Sequence, residues 1–266
     1  MHDERVAVSM GVSAAPIEGP THFSQIDPLA VALWGRRWFE GGCVSSHFRS
    51  MAFEGDRLRA SLRTHGPDDA SVAVHKDDGT EVLVGSAHVG RHSTTMLAER
   101  LGATVTPAAL HVLDRLELGA RLEFPEPVLI GFDEPNGPKY PFTLREKLAV
   151  ITEPHPWYTA EGAASSPWGR PILPMEMLSV LAHKAPIDWP VRTPSVGLFL
   201  DLEVRILDGP LFVGELYEGV HELVALSESR RTESYWTRTS LSNAATGILV
   251  AEVLLHAGVF KSSFMG

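Results

Sequence analysis

Apolar positions fall at helical spacing in two stretches of the chain, and each stretch is followed by runs that alternate apolar and polar residues. In the first, Leu29, Ala32 and Leu33, with Ala30 and Trp34, predict a helix over 27–34. Asp27 ahead of Pro28 reads as its N-cap with proline at the first helical position, and Gly41-Gly42 reads as its stop. In the second, Met175, Leu178 and Ala182, with Met177 and Leu181, predict a helix over 175–183 that Pro186 and Pro190 bring to an end. Strands follow both helices in the same order. Alternating runs cover 43–60 and 198–219, each with an aromatic close to a glycine (Phe53 and Gly55; Phe212 and Gly214). A hairpin comes next in each half, over 71–87 with its turn at Asp78-Gly79 and over 235–253 with its turn at 242–247. Glycine supplies the positive φ that such turns need. The repeated order predicts a duplicated α+β unit, a helix laid on an antiparallel meander.

Between the repeats, residues 91–142 read as a connecting segment. His92 to Leu101 predicts a short helix, and Pro125, Pro127, Pro135, Pro138 and Pro141 mark an extended, turning path. Thr143 with Glu146 three residues on is a capping-box pattern opening a helix that carries Leu144, Leu148 and Ile151. The expected organisation is an N-terminal unit over 1–90, the connection over 91–142 and a C-terminal unit over 143–266.

Composition narrows the function. The 266 residues are 44% hydrophobic and 21% charged, enough to bury a core. A formal net charge of -10 argues against gripping a phosphate backbone, so no nucleic-acid partner is expected. No apolar run is long enough to span a bilayer, so no membrane partner is expected either. Met1-His2-Asp3-Glu4-Arg5 carries no apolar signal core, and the single Cys43 fits a reducing compartment, which together predict a cytoplasmic protein. Phosphate-binding and dinucleotide-binding glycine loops, HExxH and GxSxG are all missing from the sequence. The histidines are scattered and one cysteine rules out the usual zinc clusters, so neither metal nor cofactor is expected.

One segment carries a resemblance. Glu153-Pro154-His155-Pro156-Trp157-Tyr158, followed by Gly169-Arg170-Pro171-Ile172, resembles the hydratase segment of MaoC-like acyl-CoA dehydratases and (R)-specific enoyl-CoA hydratases. That motif runs Asp-x-Asn-Pro-x-His and then Gly-x-Pro-Ile. Glu153 stands at the Asp position, His155 at Asn, Pro156 at Pro and Tyr158 at His. The resemblance covers 112–260 well and 16–90 more loosely. It implies a tandem, or double, hot-dog fold, each antiparallel sheet wrapped around a central helix. It implies hydration or dehydration of an acyl thioester, enoyl or 3-hydroxyacyl, on CoA or a carrier. The thioester oxygen would be held by backbone N–H groups at the start of the central helix, where Gly169, Arg170, Pro171 and Ile172 fall.

The departures define the expected chemistry. A phenol with a pKa near 10 donates a proton or hydrogen bond but is a poor base. Glu153 is then the candidate base, His155 the proton shuttle and Tyr158 the donor. Arg230 and Arg231 are candidates to pair with phosphates of a CoA or carrier arm. His22 and Asp27 flank the first helix and read as a surface histidine and a capping carboxylate. The expected pocket lies where the two units meet, near the start of the 175–183 helix. Other readings stand beside the hydro-lyase: a thioesterase, isomerase or cyclase on the same fold, or a catalytically silent acyl-binding subunit. The fused unit satisfies the pairing that single units reach by dimerising, and a homodimer of the fused unit stays open.

Overall fold

The computed structural model describes residues 16–90 and 94–264. Met1 to Arg5 and the expected helix start at His92 lie outside them. Among the described residues nine antiparallel strands form one sheet: β1 (Gly42–Phe48), β2 (Leu58–Thr64), β3 (Asp69–Lys76), β4 (Glu81–Val89), β5 (Arg121–Glu123), β6 (Gly197–Ile206), β7 (Tyr217–Glu228), β8 (Thr232–Asn243) and β9 (Leu249–Phe260). Their order is β2-β3-β4-β1-β6-β9-β8-β7-β5. Apart from the short edge strand β5, that order is a mirror about the β1–β6 seam, β4 answering β9, β3 answering β8 and β2 answering β7. This is the double hot-dog arrangement, and the mirror is what the repeated order of features in the sequence describes. The seam is antiparallel, pairing Cys43 with Arg205 through His47 with Asp201.

The described residues also form five α-helices: α1 (Asp27–Trp34), α2 (Arg37–Gly41), α3 (Met96–Gly102), α4 (Leu144–Val150) and α5 (Met175–Lys184). The two units treat their helices differently. The first is broken at Gly35, whose φ of 57° suits glycine, into α1 and the short α2. The second, α5, is continuous and buried from Met175 through His183. It packs on β6, β8 and β9 and against a 3-10 turn over Gly19–Gln25. Burying a side chain such as Leu178 or Leu181 contributes roughly 1.5–3 kcal/mol, so α5 is the centre of the core. The capping box at Thr143 and Glu146 forms as its sequence predicts, each side chain bonding the other's backbone N–H.

Helix α3 covers the opposite face. Along β6 and β9, Leu202 and Leu255 face α5, while their neighbours Asp201 and His256 point the other way. There Leu97 packs with Trp236 and Leu254. Asp201 receives His47 Nδ1 at 2.7 Å, His256 Nδ1 at 2.6 Å and Arg100 Nε at 3.0 Å. Burial alone would raise this carboxyl, but the hydrogen bonds from His256 and His47 prevail and bring it down to about 2. Thr95 caps α3 by accepting from Ala98 N, and its own hydroxyl donates to Glu203 at 2.5 Å.

Candidate functional site

The start of α5 is where the hydratase segment arrives, and its polar groups are already bonded to one another. His155 N-caps a one-turn 3-10 helix over Pro156–Tyr158, with proline at the first position. That turn sends the Tyr158 ring inward. Its hydroxyl donates to Asp27 Oδ2 at 2.8 Å, Trp38 Nε1 donates to Asp27 Oδ1 at 2.8 Å, and the Met175 N–H, first of α5, donates to Asp27 Oδ2 at 3.0 Å. Asp27 therefore caps the central helix and not its own, which Ile26 precedes without a side-chain cap. Burial pushes the Asp27 carboxyl up to about 7, even against these three donors. Burial and the Asp27 charge push the Tyr158 phenol up as well.

A second set of polar groups lies beside the first. Glu176 is fully buried, receives Thr152 Oγ1, and pairs with Lys147 Nζ at 3.0 Å. Lys147, itself buried, also donates to Thr21 Oγ1 at 3.2 Å and lies over the Phe142 ring. Burial raises the Glu176 carboxyl while the Lys147 ammonium opposes the rise.

The expected acid–base trio is not brought together. Glu153 is exposed on the loop after α4. His155 is half-buried among Phe39, Trp157 and Tyr158, with ring centroids 4.6 to 5.9 Å away, and accepts from Trp157 N. Burial lowers its pKa. Tyr158 alone is deeply buried, facing Asp27. The reason is local: the Pro154 and Pro156 corner turns His155 onto its own backbone and leaves Glu153 outside the packed layer.

Two of the three N–H groups in the backbone expected to hold a thioester oxygen are also committed. Gly169 N–H donates to Ser166 O, Ile172 N–H to Trp157 O and Leu173 N–H to Leu211 O, and Pro171 has none to give. Gly169 turns the chain with a φ of 65°. Arg170 is exposed, stacked on Phe212 at 4.1 Å and 3.6 Å from Glu215. Arg230 and Arg231 stand exposed on the β7–β8 turn.

A cavity does lie where residues of the two units meet, but it is lined by the last turn of α5 and not, as expected, by its start. It measures about 750 Å³ and is lined by His183 in the last turn of α5, by His22 of the 3-10 turn, and by strand residues such as Phe199, Leu255 and Tyr235. Glu153, His155, Tyr158, Gly169–Ile172 and the arginine pair are not in its wall. His22, expected at the surface, is 2% exposed because the 3-10 turn lies against α5. His183 escaped notice in the sequence, yet its signal is there. Glu176, Ser179 and His183 are three and four residues apart on a helix whose other core positions are apolar.

Among the described residues, no cluster of three or more ligating side chains fits a metal ion. No described helix is long and apolar enough to cross a membrane.

No protein-family profile matches the chain, and no curated protein matches it. Solved structures do. A protein from Chloroflexus aurantiacus J-10-fl assigned as a MaoC domain dehydratase is 14% identical, with a TM-score of 0.60 over 97% of this chain and 85% of its own. A conserved hypothetical protein from Mycobacterium tuberculosis with a double hotdog fold is 14% identical, with a TM-score of 0.56 over 96% and 85%. A MaoC-like dehydratase is 13% identical, with a TM-score of 0.54 over 97% and 87%. Along nearly its whole length, then, this chain has the double hot-dog fold found in MaoC-like proteins.

Proposed function

We propose that this protein is a repurposed double hot-dog that binds the acyl chain of a thioester in its cavity, without hydrating or dehydrating it through the Glu153-His155-Tyr158 segment. The observation that carries the reading is the Asp27 carboxylate on the Met175 N–H. Hydration needs that helix-start donor free for a developing enolate oxygen. A buried carboxylate already occupies it, held by Tyr158 and Trp38 as well. A carboxylate there repels a second oxyanion. The cavity at the other end of α5 has the size of a small-molecule site, and most of its wall is apolar, which suits an aliphatic chain.

A second reading has one observation in its favour. A carboxyl brought to about 7 beside a phenol is poised for proton transfer near neutral pH. In that reading Asp27 and Tyr158 are the acid–base pair of a hydro-lyase, and substrate entry requires Tyr158 to move.

One experiment separates them. The purified chain is incubated with enoyl and 3-hydroxyacyl thioesters of several lengths. Mass spectrometry follows gain or loss of water, and Trp189, which lines the cavity, reports binding by fluorescence. Saturable binding without a change of mass is the expected result. Turnover that Asp27→Asn abolishes establishes the second reading, and absence of any binding removes the first.

A further inference from the structure

The cavity wall is apolar in its depth and charged along one rim. Ala52, Leu255 and Ala257 line it and are buried. Among its lining residues Glu18, Arg49 and Lys139 carry charge, and they reach it from three segments that meet there. Ile17 N–H donates to Ala52 O, and a Cβ on Gly19 would stand 2.7 Å from the Phe48 ring, so the stretch carrying Glu18 lies along the one carrying Arg49. Burial raises the phenol of Tyr140, the neighbour of Lys139, and the Glu18 charge adds to that rise. Arg49 and Lys139 are exposed and Glu18 is half-buried, which puts all three on the solvent side of the cavity. Arg49 Nε stands 3.7 Å from Glu81 Oε2, both side chains about half exposed. Lys139 forms no ion pair with a described residue. Burial pushes the His183 imidazole down to about 4 and the Lys139 charge adds to the fall, so the ammonium is felt at the last turn of α5.

We propose that the cavity takes an aliphatic chain that ends in a carboxylate, the chain lying in the apolar depth and the carboxylate at the rim on Lys139, with Arg49 in support. The proposal rests on the reading above that an aliphatic chain fills the cavity, and it goes past it in the head group: the free acid, and not only its thioester, is a ligand. Arg49 and Lys139 against Glu18 leave the rim with an excess of one positive charge, in a protein whose formal net charge is -10. A monoanion neutralises that excess. An ammonium head meets Glu18 alone and has two like charges beside it. A neutral head gains nothing from Lys139. A phosphate at the far end of a thioester arm stands many bonds from the chain, whereas these cations belong to the wall of the cavity itself. The carboxylate stays at the rim because drawing it into the apolar depth would strip its hydration. An ion pair open to solvent is weak, so the chain supplies most of the affinity and the rim supplies the choice of head group.

Calorimetric titration of the full chain tests this with probes that share one chain and differ in head charge: decanoate, decanol and decylammonium, each below the concentration at which it aggregates, with decanoyl-CoA as the thioester. Decanoate is expected to bind about fivefold more tightly than decanol, and decylammonium more weakly than either. The advantage of decanoate should shrink as salt is raised. Lys139→Gln should remove most of that advantage and leave decanol unchanged, while Lys139→Arg should keep it. Glu18→Gln should tighten decanoate and weaken decylammonium. Lys139 is exposed, so its variants should fold as the unsubstituted protein does. Equal affinity for decanoate and decanol, tighter binding of decylammonium, or an advantage that survives Lys139→Gln in full overturns the proposal, and binding of decanoyl-CoA in the same series leaves the acyl-chain reading intact. Failure of all four probes to bind overturns the acyl-chain reading itself.

Discussion

The two ends of α5 both bury polar side chains and satisfy them differently. At its start, a carboxylate, a phenol, an indole and a backbone N–H satisfy one another, and beside them a glutamate receives a threonine hydroxyl and pairs with a lysine. At its end, the His183 imidazole keeps a buried Nε2 that has no hydrogen-bond partner among the described residues. Buried polar groups that close on themselves hold a fold in one arrangement. In this chain the segment that resembles a catalytic motif belongs to the closed end.

The largest effect should come from opening the closed end. Lys147→Met leaves Glu176 as an unpaired buried charge and should cost about 3–5 kcal/mol of stability, read from the urea midpoint. Adding Glu176→Gln to Lys147→Met should recover much of that loss, and no recovery would mean the pair is not the unit described.

Next in size is a titration of opposite sign at the two ends. The folded Asp27 carboxyl sits at about 7, above its unfolded value of 3.8, so the native state binds the extra proton between them. Its contribution to stability therefore falls as pH rises from about 4 to 7. His22 and His183 sit at about 4, below their unfolded value of 6.5, so the unfolded state binds the extra protons. Their contribution rises over about the same interval, is complete above pH 6.5, and is lost as pH falls toward 4. Unfolding free energy measured from pH 4 to 8 should rise more steeply with pH in Asp27→Asn than in the unsubstituted protein, and less steeply in His183→Gln. Parallel curves in all three proteins would contradict the burial described at both ends.

Gly169→Ala should cost about 1 kcal/mol, because its φ of 65° strains any residue with a Cβ. The loss should appear in the melting temperature and leave ligand binding unchanged. Smallest of all, Glu153→Gln should stay within about 0.5 kcal/mol, as expected for an exposed residue with no bonded partner. It should also leave any thioester turnover untouched. A loss of turnover would move the chemistry back to the hydratase segment.

Local signals in the chain were readable where the interaction itself is local. The capping box at Thr143, the turn at Gly79 and the spacing of Met175, Leu178 and Ala182 all act within a few residues, and each element forms where those signals put it. The repeated order of features carried the duplication further, to the mirror order of the sheet. Asp27 shows where such reading stops. A local rule makes it the cap of α1, but its carboxylate meets Met175, 148 residues away, because α5 is the helix whose start it faces in the folded chain. His22 was misplaced for a similar reason, since nothing near it in sequence states that α5 will cover it. Motif spacing pairs Glu153 with Tyr158, and the two prolines between them, Pro154 and Pro156, point the pair apart.

Because α1 and α2 are split at Gly35 while α5 runs unbroken, the duplicated halves are no longer equivalent hosts. A symmetric pair of identical units would offer two equal berths and invite cooperativity between them. Here one rod is intact and the cavity described above lies at its end, so a calorimetric isotherm of a ligand for that cavity should show one per chain, with a hyperbolic rather than sigmoidal approach to saturation.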